Sequence, residues 1–381
     1  MIGLFNDCYP PVMDGVSVAI SNYAYWLHEH GCKVCVVTPT SPQPKIQEVA
    51  YPIYRYWSLP IPKRKPYRLG IPEVDFSFSH KIDNLSFQLL HAHCPFSSGQ
   101  IALKIARKRK IPLVATFHSK YREDFERLIP SKIVVDTLMK RVIDFYDQAD
   151  EVWVPQLSVE ETLRSYGYKG NIEVVDNGND LSMMFSAERK EDCREKIGIK
   201  PDEFMLLFVG QHILEKNVMF LIESLNLIQN RKFHLYFVGS GYALREMKQK
   251  VEQLGLNDKV TFVGSVTDRQ TLSEYYMASD LFLFPSLYDN APLVVREAAA
   301  MNTPSLLIEG STAAGIIDNN VNGFLSKNDR TDFAERIVYI MNNPTLADKA
   351  GKAASCSIVR SWNDILSEVE DRYNHLLKRM E

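Results

Sequence analysis

Short unbroken apolar runs recur along the second half of this chain, in EFMLLFVG, FHLYFVGSG, VTFVGS and ASDLFLFPS, and each closes in small residues before a segment of helical character. Runs so short and so continuously apolar suit strands buried on both faces, because a half-exposed strand alternates and a helix needs more length. Strands that alternate with helices build a parallel sheet. The first half repeats the pattern in MIGLF, CKVCVVTPT, FQLLHAHCPF, IPLVATFHS and ADEVWVP, the last of these from Ala149 to Pro155. With 381 residues the chain exceeds what one core ordinarily holds, so two α/β domains are expected.

The stretch Leu281 to Gly310 shows what one such repeat can do. It reads strand, polar turn, helix, strand. The turn from Pro285 to Ala291 ends in Asn290, a helix-cap candidate, and Pro292 falls in the first helical turn, where its missing N–H costs nothing. A helix start then faces the carboxyl edge of the strand. That edge is where open α/β sheets bind ligands, and the N–H groups of Leu293 and Val294 there favour phosphate. Asp289 and Glu297 bracket the spot. A carboxylate beside a phosphate site accepts charge-assisted bonds from sugar or ribose hydroxyls. The plainer alternative is a surface acid in the turn and a solvated acid on the helix.

Composition excludes several classes. The chain is 45% hydrophobic and 24% charged, as soluble globular proteins are, and no apolar run is long enough to span a bilayer. It opens directly on a strand with no export signal, so a cytoplasmic location is expected. Six scattered cysteines suit a reducing compartment, and Cys32 and Cys35, on the second strand, read as a buried structural pair. Residues 1–172 hold 21 Lys and Arg against 17 Asp and Glu, a balance of +4, which leaves 23 against 30, or −7, for the remainder. The first half is therefore the one suited to an anionic surface. Tyr51 to Pro72 mixes prolines, aromatics and basic residues and is not expected to form a long regular element. Trp57 with Lys63, Arg64, Lys65 and Arg68 is what a membrane-interface loop needs, and a solvated loop with anchoring aromatics is the alternative. Helices are expected over 17–30 and 100–110, and at the C-terminus with Ile365, Val369, Tyr373 and Leu376 on one face. His91-x-His93 lacks a third ligand at usable spacing, so a structural role is expected and no metal site. His118 closes an apolar run at the ligand edge. The opening loop has only Gly15 where a dinucleotide fingerprint needs three glycines, which disfavours a nicotinamide dehydrogenase.

DNAPLVVREAAAMNTPSLL resembles the signature of the retaining GT-B glycosyltransferases of family 4. In that family the first acid, normally Glu, holds the donor hexose and the second holds the ribose, roles that fall here on Asp289 and Glu297. Asn290-Ala291-Pro292 replaces the usual Phe-Gly pair. ATFHSKYREDF looks like the Thr-x-His segment whose His, here His118, contacts the donor sugar near the reacting carbon. After EFMLLFVG the family places an Arg and a Lys against the donor diphosphate. Lys216 matches, Gln211 stands at the Arg position, and His212 or helix N–H groups are the expected compensation. Asp14-Gly15 keeps one glycine of the family's pair, and GNIEVVDNGND resembles the interdomain segment.

The resemblance covers essentially the whole chain and implies two Rossmann-like domains facing a cleft. Residues 1–172 with the returning helix 361–381 would form the acceptor side, and 173–360 the sugar-nucleotide domain. It further implies a hexosyltransferase that retains anomeric configuration, with a UDP-sugar and glucose or galactose favoured and neither metal nor cofactor required. CPFSSGQIA, ATFHSKYREDF and the basic-aromatic loop look most like bacterial enzymes that glycosylate membrane lipids such as diacylglycerol or ceramide, which would place the protein peripherally on the inner face of the cell membrane. The alternative acceptor is a polysaccharide or lipid-linked oligosaccharide. A two-lobed sugar-binding protein without catalysis is the alternative of another class, and it would need an export signal. No nucleic-acid partner is implied.

Overall fold

The computed structural model describes residues 1–12, 14–41, 48–61 and 67–380. It divides into two units, Met1–Gly178 with Trp362–Glu381, and Asn179–Ser361.

The first unit runs β1 (Ile2–Phe5), α1 (Gly15–Glu29), β2 (Val34–Pro39), β3 (Ile53–Tyr56), β4 (Ser58–Pro60), β5 (Arg68–Gly70), α2 (Phe76–Asp83), β6 (Leu89–Ala92), α3 (Ser97–Arg109), β7 (Leu113–Thr116), α4 (Tyr121–Leu128), α5 (Lys132–Tyr146), β8 (Glu151–Val154), α6 (Leu157–Ser165) and β9 (Glu173–Val174). Its main sheet is parallel in the order β3-β2-β1-β6-β7-β8-β9. Because β9 pairs with β8, the unit extends past residue 172 to Gly178. The segment from Tyr51 to Pro72, not expected to form a long regular element, carries only short ones. β3 adds an edge strand beside β2, and β4 and β5 form a small antiparallel hairpin. Lys63, Arg64 and Lys65, which fall between β4 and β5 in sequence, lie outside the described residues.

The second unit runs α7 (Lys190–Ile197), β10 (Phe204–Val209), α8 (Val218–Asn226), β11 (Phe233–Val238), α9 (Leu244–Gln253), β12 (Val260–Gly264), α10 (Arg269–Ala278), β13 (Leu281–Phe284), α11 (Leu293–Ala300), β14 (Ser305–Ile308), β15 (Phe324–Ser326), α12 (Arg330–Met341) and α13 (Pro344–Ile358). The sheet is again parallel, in the order β12-β11-β10-β13-β14-β15. Alternate residues of one strand serve two cores. Leu206 and Phe208 of β10, with Leu281 and Leu283 of β13, pack under α8, α9, α12 and α13. Met205, Leu207 and Val209, with Phe282 and Phe284, pack under α10 and α11 on the other face. Burial on both faces is why these strands carry no polar alternation.

The chain then returns to the first unit as α14 (Trp362–Met380). Ile365, Val369, Tyr373 and Leu376, spaced by three and four residues, are all buried. Tyr373 stacks on Trp153 at 5.6 Å between ring centroids, and Trp362 meets Tyr23 edge-on at 6.0 Å.

Candidate active site

In the second unit the chain leaves β10 toward β11 and β12 on one side and returns to β13 on the other. Such a reversal opens a crevice at the carboxyl ends of the two central strands, the usual ligand position in an open α/β sheet. The turns after β10 and β13 therefore meet there, and they carry most of the expected donor-site residues.

Lys216 Nζ and Asp289 Oδ1 lie 2.7 Å apart, with side chains only 12% and 19% exposed. The Ser286 hydroxyl donates to the second carboxylate oxygen of Asp289 at 2.5 Å. The ammonium also sits 5.2 Å from the Phe284 ring centroid, so its pairing and its position over a ring are fixed together. Asn217, in the left-handed region at φ 58°, ends the short helical turn that presents Lys216, and its side-chain amide donates to the Pro285 carbonyl at 3.3 Å. The β10 turn is further clasped by the loop after β11, where His212 N–H donates to Ser240 O and Ala243 N–H to His212 O, both at 2.9 Å. The approach requires glycine twice. A Cβ on Gly239 would lie 1.9 Å from Gly210 O, and one on Gly241 would lie 2.2 Å from His212 O.

Two expectations about this region are corrected. Helix α11 begins at Leu293 with Pro292 as its N-cap, so Asn290, which is buried, does not cap it. No side chain caps this end, and first-turn N–H groups such as those of Leu293 and Val294 suit an anionic ligand. His212 does not supply the missing positive charge. Its ring is buried against Phe208, Phe237 and Phe262, both ring nitrogens lack a hydrogen-bond partner among the described residues, and burial lowers its pKa to about 4. It is neutral at physiological pH and fills an apolar position. Gln211, at the position where a cation was expected, brings a neutral amide.

Glu297 is not a solvated helix acid. Its side chain is 8% exposed and accepts from Arg269 at 2.8 Å and from the Tyr276 hydroxyl at 2.9 Å, both on α10. Burial, and then the neighbouring Glu297 charge, hold the Tyr276 phenol well above its ordinary pKa, so it remains a donor. Each oxygen of Glu297 thus has one protein partner and keeps one further acceptor direction.

In the first unit the reversal falls between β1 and β6. Asp7, just after β1 and not singled out from sequence, caps α3 from a distance. One carboxylate oxygen accepts from Ser98 N–H at 2.8 Å, from the Ser97 hydroxyl at 2.5 Å and from the Tyr56 hydroxyl at 3.0 Å. Gly15 starts α1, and Asp14 before it forms a reciprocal capping box with Ser17 at 2.8 and 3.0 Å. His118 follows β7, and His93 follows β6. Because β6 and β7 are paired, the two imidazoles meet, with His93 Nδ1 3.0 Å from His118 Nε2. The rings of His91, His93 and His118 form one stack, at 4.1 Å and 5.3 Å between successive centroids. Part of His118 remains accessible, yet desolvation lowers its pKa to about 4, and burial holds the other two well below the ordinary value. Among the described residues no three His, Cys, Asp or Glu side chains gather as metal ligands.

Trp57 is exposed at the base of the hairpin. Arg68 is occupied within it, donating to the Ser58 hydroxyl at 2.8 Å and the Ser58 carbonyl at 2.7 Å. All six cysteines are free thiols. No described helix is long and apolar enough to cross a membrane.

Known proteins resemble this chain over most of its length. Residues 13–183 match the family described as Glycosyltransferase Family 4, and residues 189–355 match Glycosyl transferases group 1. A Streptococcus pneumoniae protein named alpha-monoglucosyldiacylglycerol synthase is 26% identical over 365 residues, covering 91% of this chain and 81% of its own. The Acholeplasma laidlawii protein of the same name is 23% identical over 374 residues, covering 93% and 92%. Among solved structures, sucrose-phosphate synthase from Thermosynechococcus elongatus superposes with a TM-score of 0.83 at 21% identity over 99% of both chains, a likeness of fold. With both sheets parallel and both family descriptions met in sequence order, the chain belongs to the group 1 glycosyl transferases of family 4 and is a glycosyltransferase of the GT-B fold.

Proposed function

We propose that this glycosyltransferase moves a hexose, glucose in the first instance, from a UDP-sugar to a hydroxyl of a membrane lipid such as diacylglycerol, with retention of anomeric configuration. The observation that carries the reading is the joined pair Lys216 and Asp289 beside the uncapped start of α11, a cation and N–H groups for a diphosphate next to a carboxylate for sugar hydroxyls. Lipid as acceptor is supported by the names of the Streptococcus and Acholeplasma relatives. The leaving diphosphate is stabilised by Lys216 and by the N–H groups of Leu293 and Val294 without a metal ion. Glu297 accepts from the ribose, and His118 and Asp289 act at the sugar end of the donor.

A lipid acceptor requires the protein to work at a membrane surface. The first unit offers exposed apolar side chains for that purpose: Trp57, Leu59 and Leu69 on the hairpin, Val74 after it, and Phe76, which is 84% exposed. Leu59 and Leu69 face each other across the hairpin, and Trp57 N–H donates to Asp75 beside Phe76 at 3.1 Å. Between β4 and β5 the sequence carries Pro-Lys-Arg-Lys-Pro. Rings at headgroup level and cations paired with anionic lipid give peripheral attachment, each cation contributing roughly 1 kcal/mol near the surface.

Titration with a panel of UDP- and GDP-sugars identifies the donor, and sedimentation with anionic vesicles tests the acceptor side. Wild-type protein should sediment at low salt. Replacing Lys63, Arg64, Lys65 and Trp57 by Ser should abolish sedimentation while sugar-nucleotide binding is retained. A protein that ignores such vesicles, and glycosylates a soluble oligosaccharide but no lipid, would replace the lipid reading with the polysaccharide one.

A further inference from the structure

The first unit has a narrow polar crevice of its own, lined among others by Asp7, Tyr9, Thr38, Ser41, Arg55 and Arg68. Its walls are the turn after β1, the end of β2, the edge strand β3 and the hairpin strand β5. They meet because β2 pairs with both β1 and β3, with Thr38 beside Arg55 in register. This is the carboxyl edge of the sheet, the edge at which open α/β folds receive ligands.

The two arginines stand there without an acid. Arg55 donates from Nη1 to the Pro39 carbonyl at 3.2 Å and from Nη2 to the Pro10 carbonyl at 3.0 Å, with its guanidinium carbon 5.9 Å from the Tyr9 ring centroid. Arg68 uses Nε and Nη2 on Ser58. A guanidinium has five N–H donors, so each keeps others for a ligand. Among the described residues neither has a carboxylate partner, and burial lowers the pKa of Arg55, opposed only by Tyr9. The stretches of sequence that adjoin these walls, PQPKIQ at 42–47 and PKRKP at 62–66, hold four cations and no acid. Asp7, the one acid of the lining, is engaged elsewhere: one oxygen serves Ser98 N–H, Ser97 and Tyr56, and the Cys94 thiol donates to the other at 3.3 Å. Charges withdrawn from water are ordinarily paired, and a lining with one cation in excess suits a monoanion.

Alternation along the hairpin says what kind of monoanion. Leu59 and Leu69 are paired on one face, 43% and 54% exposed, while Ser58 and Arg68 fall on the other. The hairpin thus turns a cation toward the crevice and apolar side chains away from it, as a segment at the boundary of headgroups and acyl chains does. We propose that this crevice holds the phosphate of an anionic phospholipid, a phosphodiester gripped at the crevice mouth by Arg55 and Arg68, with Leu59 and Leu69 against its acyl chains. Guanidinium forks match phosphate oxygens in pairs, which a lysine cannot do. Diacylglycerol carries no phosphate, so this lipid is a second one, distinct from the proposed acceptor. Inorganic phosphate offers the same oxygens without the chains; the choice of a lipid rests on the membrane reading above, and the anion site does not.

Isothermal titration of the full-length protein with a short-chain phosphatidylglycerol, below its micelle concentration, reads the site without a membrane surface. Wild type should bind it. Inorganic phosphate and glycerol 3-phosphate should compete at least about tenfold more weakly, since burial of two methylene groups alone accounts for that much. Arg55→Gln and Arg68→Gln should each weaken lipid binding roughly 10- to 100-fold, the worth of one charge-assisted bond, with UDP affinity unchanged. Because Arg55→Gln also gives up two bonds within the fold, Ser41→Asp is the companion variant: it sets a carboxylate in the crevice, leaves both arginines in place, and should weaken lipid binding at a melting temperature no lower than that of wild type. Replacing Lys63, Arg64 and Lys65 by Ser should leave this titration intact. A wild type that binds no short-chain lipid, or folded Arg68→Gln and Ser41→Asp proteins that bind it as wild type does, would overturn the proposal. Inorganic phosphate binding as tightly as the lipid would overturn the lipid assignment. A wild type that binds the lipid through Arg68 yet glycosylates no lipid would refute the acceptor reading alone and uphold this site.

Discussion

Replacing Asp289 by Asn removes one negative charge while preserving the shape of the side chain and an oxygen to accept from Ser286. In the ligand-free protein that charge is spent on Lys216, 2.7 Å away, in a pair mostly withdrawn from solvent. An arriving diphosphate must share or displace this partner, and it also feels the carboxylate as a like charge. A hydrogen bond between charged partners contributes about 1.5–3 kcal/mol. Each 1.4 kcal/mol corresponds to about a tenfold change in an equilibrium constant. The pair lies at the mouth of the crevice and is partly screened, so the lower part of that range applies. Asp289→Asn should therefore bind free UDP roughly 10- to 30-fold more tightly than wild type, while transferring sugar more slowly if, as proposed, this carboxylate holds the hexose. Isothermal titration at fixed ionic strength gives the first quantity, and initial transfer rates give the second. A folded Asp289→Asn protein that binds UDP no better than wild type would show that Lys216 is not held back by Asp289, and the assignment of Lys216 to the diphosphate would fall with it.

Three further outcomes follow from the same geometry. Glu297→Ala should destabilise the second unit by about 1–3 kcal/mol, since it strands Arg269 and Tyr276, as well as weakening nucleotide binding; a melting temperature equal to wild type would contradict the buried network. Lys216→Ala should lower turnover sharply, and wild-type activity should persist in excess EDTA; loss on chelation, restored by Mg²⁺ or Mn²⁺, would overturn the metal-free leaving-group assignment. His30 ties α1 to α14 through Asn363 at 2.8 Å and Glu370 at 2.5 Å, and these bonds, led by that to Asn363, raise its pKa against a smaller desolvation effect. A raised folded pKa stabilises fully below the ordinary value of about 6.5 and ceases to do so as pH rises through the folded value. The melting-temperature gap between wild type and His30→Ala should accordingly shrink on going from pH 6 to pH 9, and a gap that widens would refute the assignment.

The strands of the second unit were legible in the sequence because burial on both faces leaves an unbroken apolar run, as in β10 and β13. The edge strand β3 was not: Ile53-Tyr54-Arg55-Tyr56 is only partly buried and sits in a proline-rich stretch, and its pairing with β2 is decided by tertiary contact. Asp289, Glu297 and Lys216 were singled out by their places after strand ends. What the sequence did not reveal was which of them touch. Lys216 and Asp289 are 73 residues apart, and the partners of Glu297 come from a different helix. His91-x-His93 read as a structural pair, and the sequence did not show that His118, 25 residues on, stands beside His93 at the end of the neighbouring strand. Spacing along a chain does not register adjacency across a parallel sheet. His212 misled for the opposite reason, since its chemistry suggested charge where the fold uses only its bulk.

The return of α14 to the first unit also sets an order of events. Tyr373, which bonds His91 and stacks on Trp153, and Trp362, which packs on Tyr23, emerge from the ribosome after the whole of the second unit. Domains ordinarily fold as they appear, the N-terminal one first. Here the earlier-made unit waits for the last helix, while the unit inserted within it can close ahead of it. A nascent chain halted before Trp362 would carry a finished second unit on a first unit whose aromatic face lies open, the sort of surface that chaperones and proteases recognise.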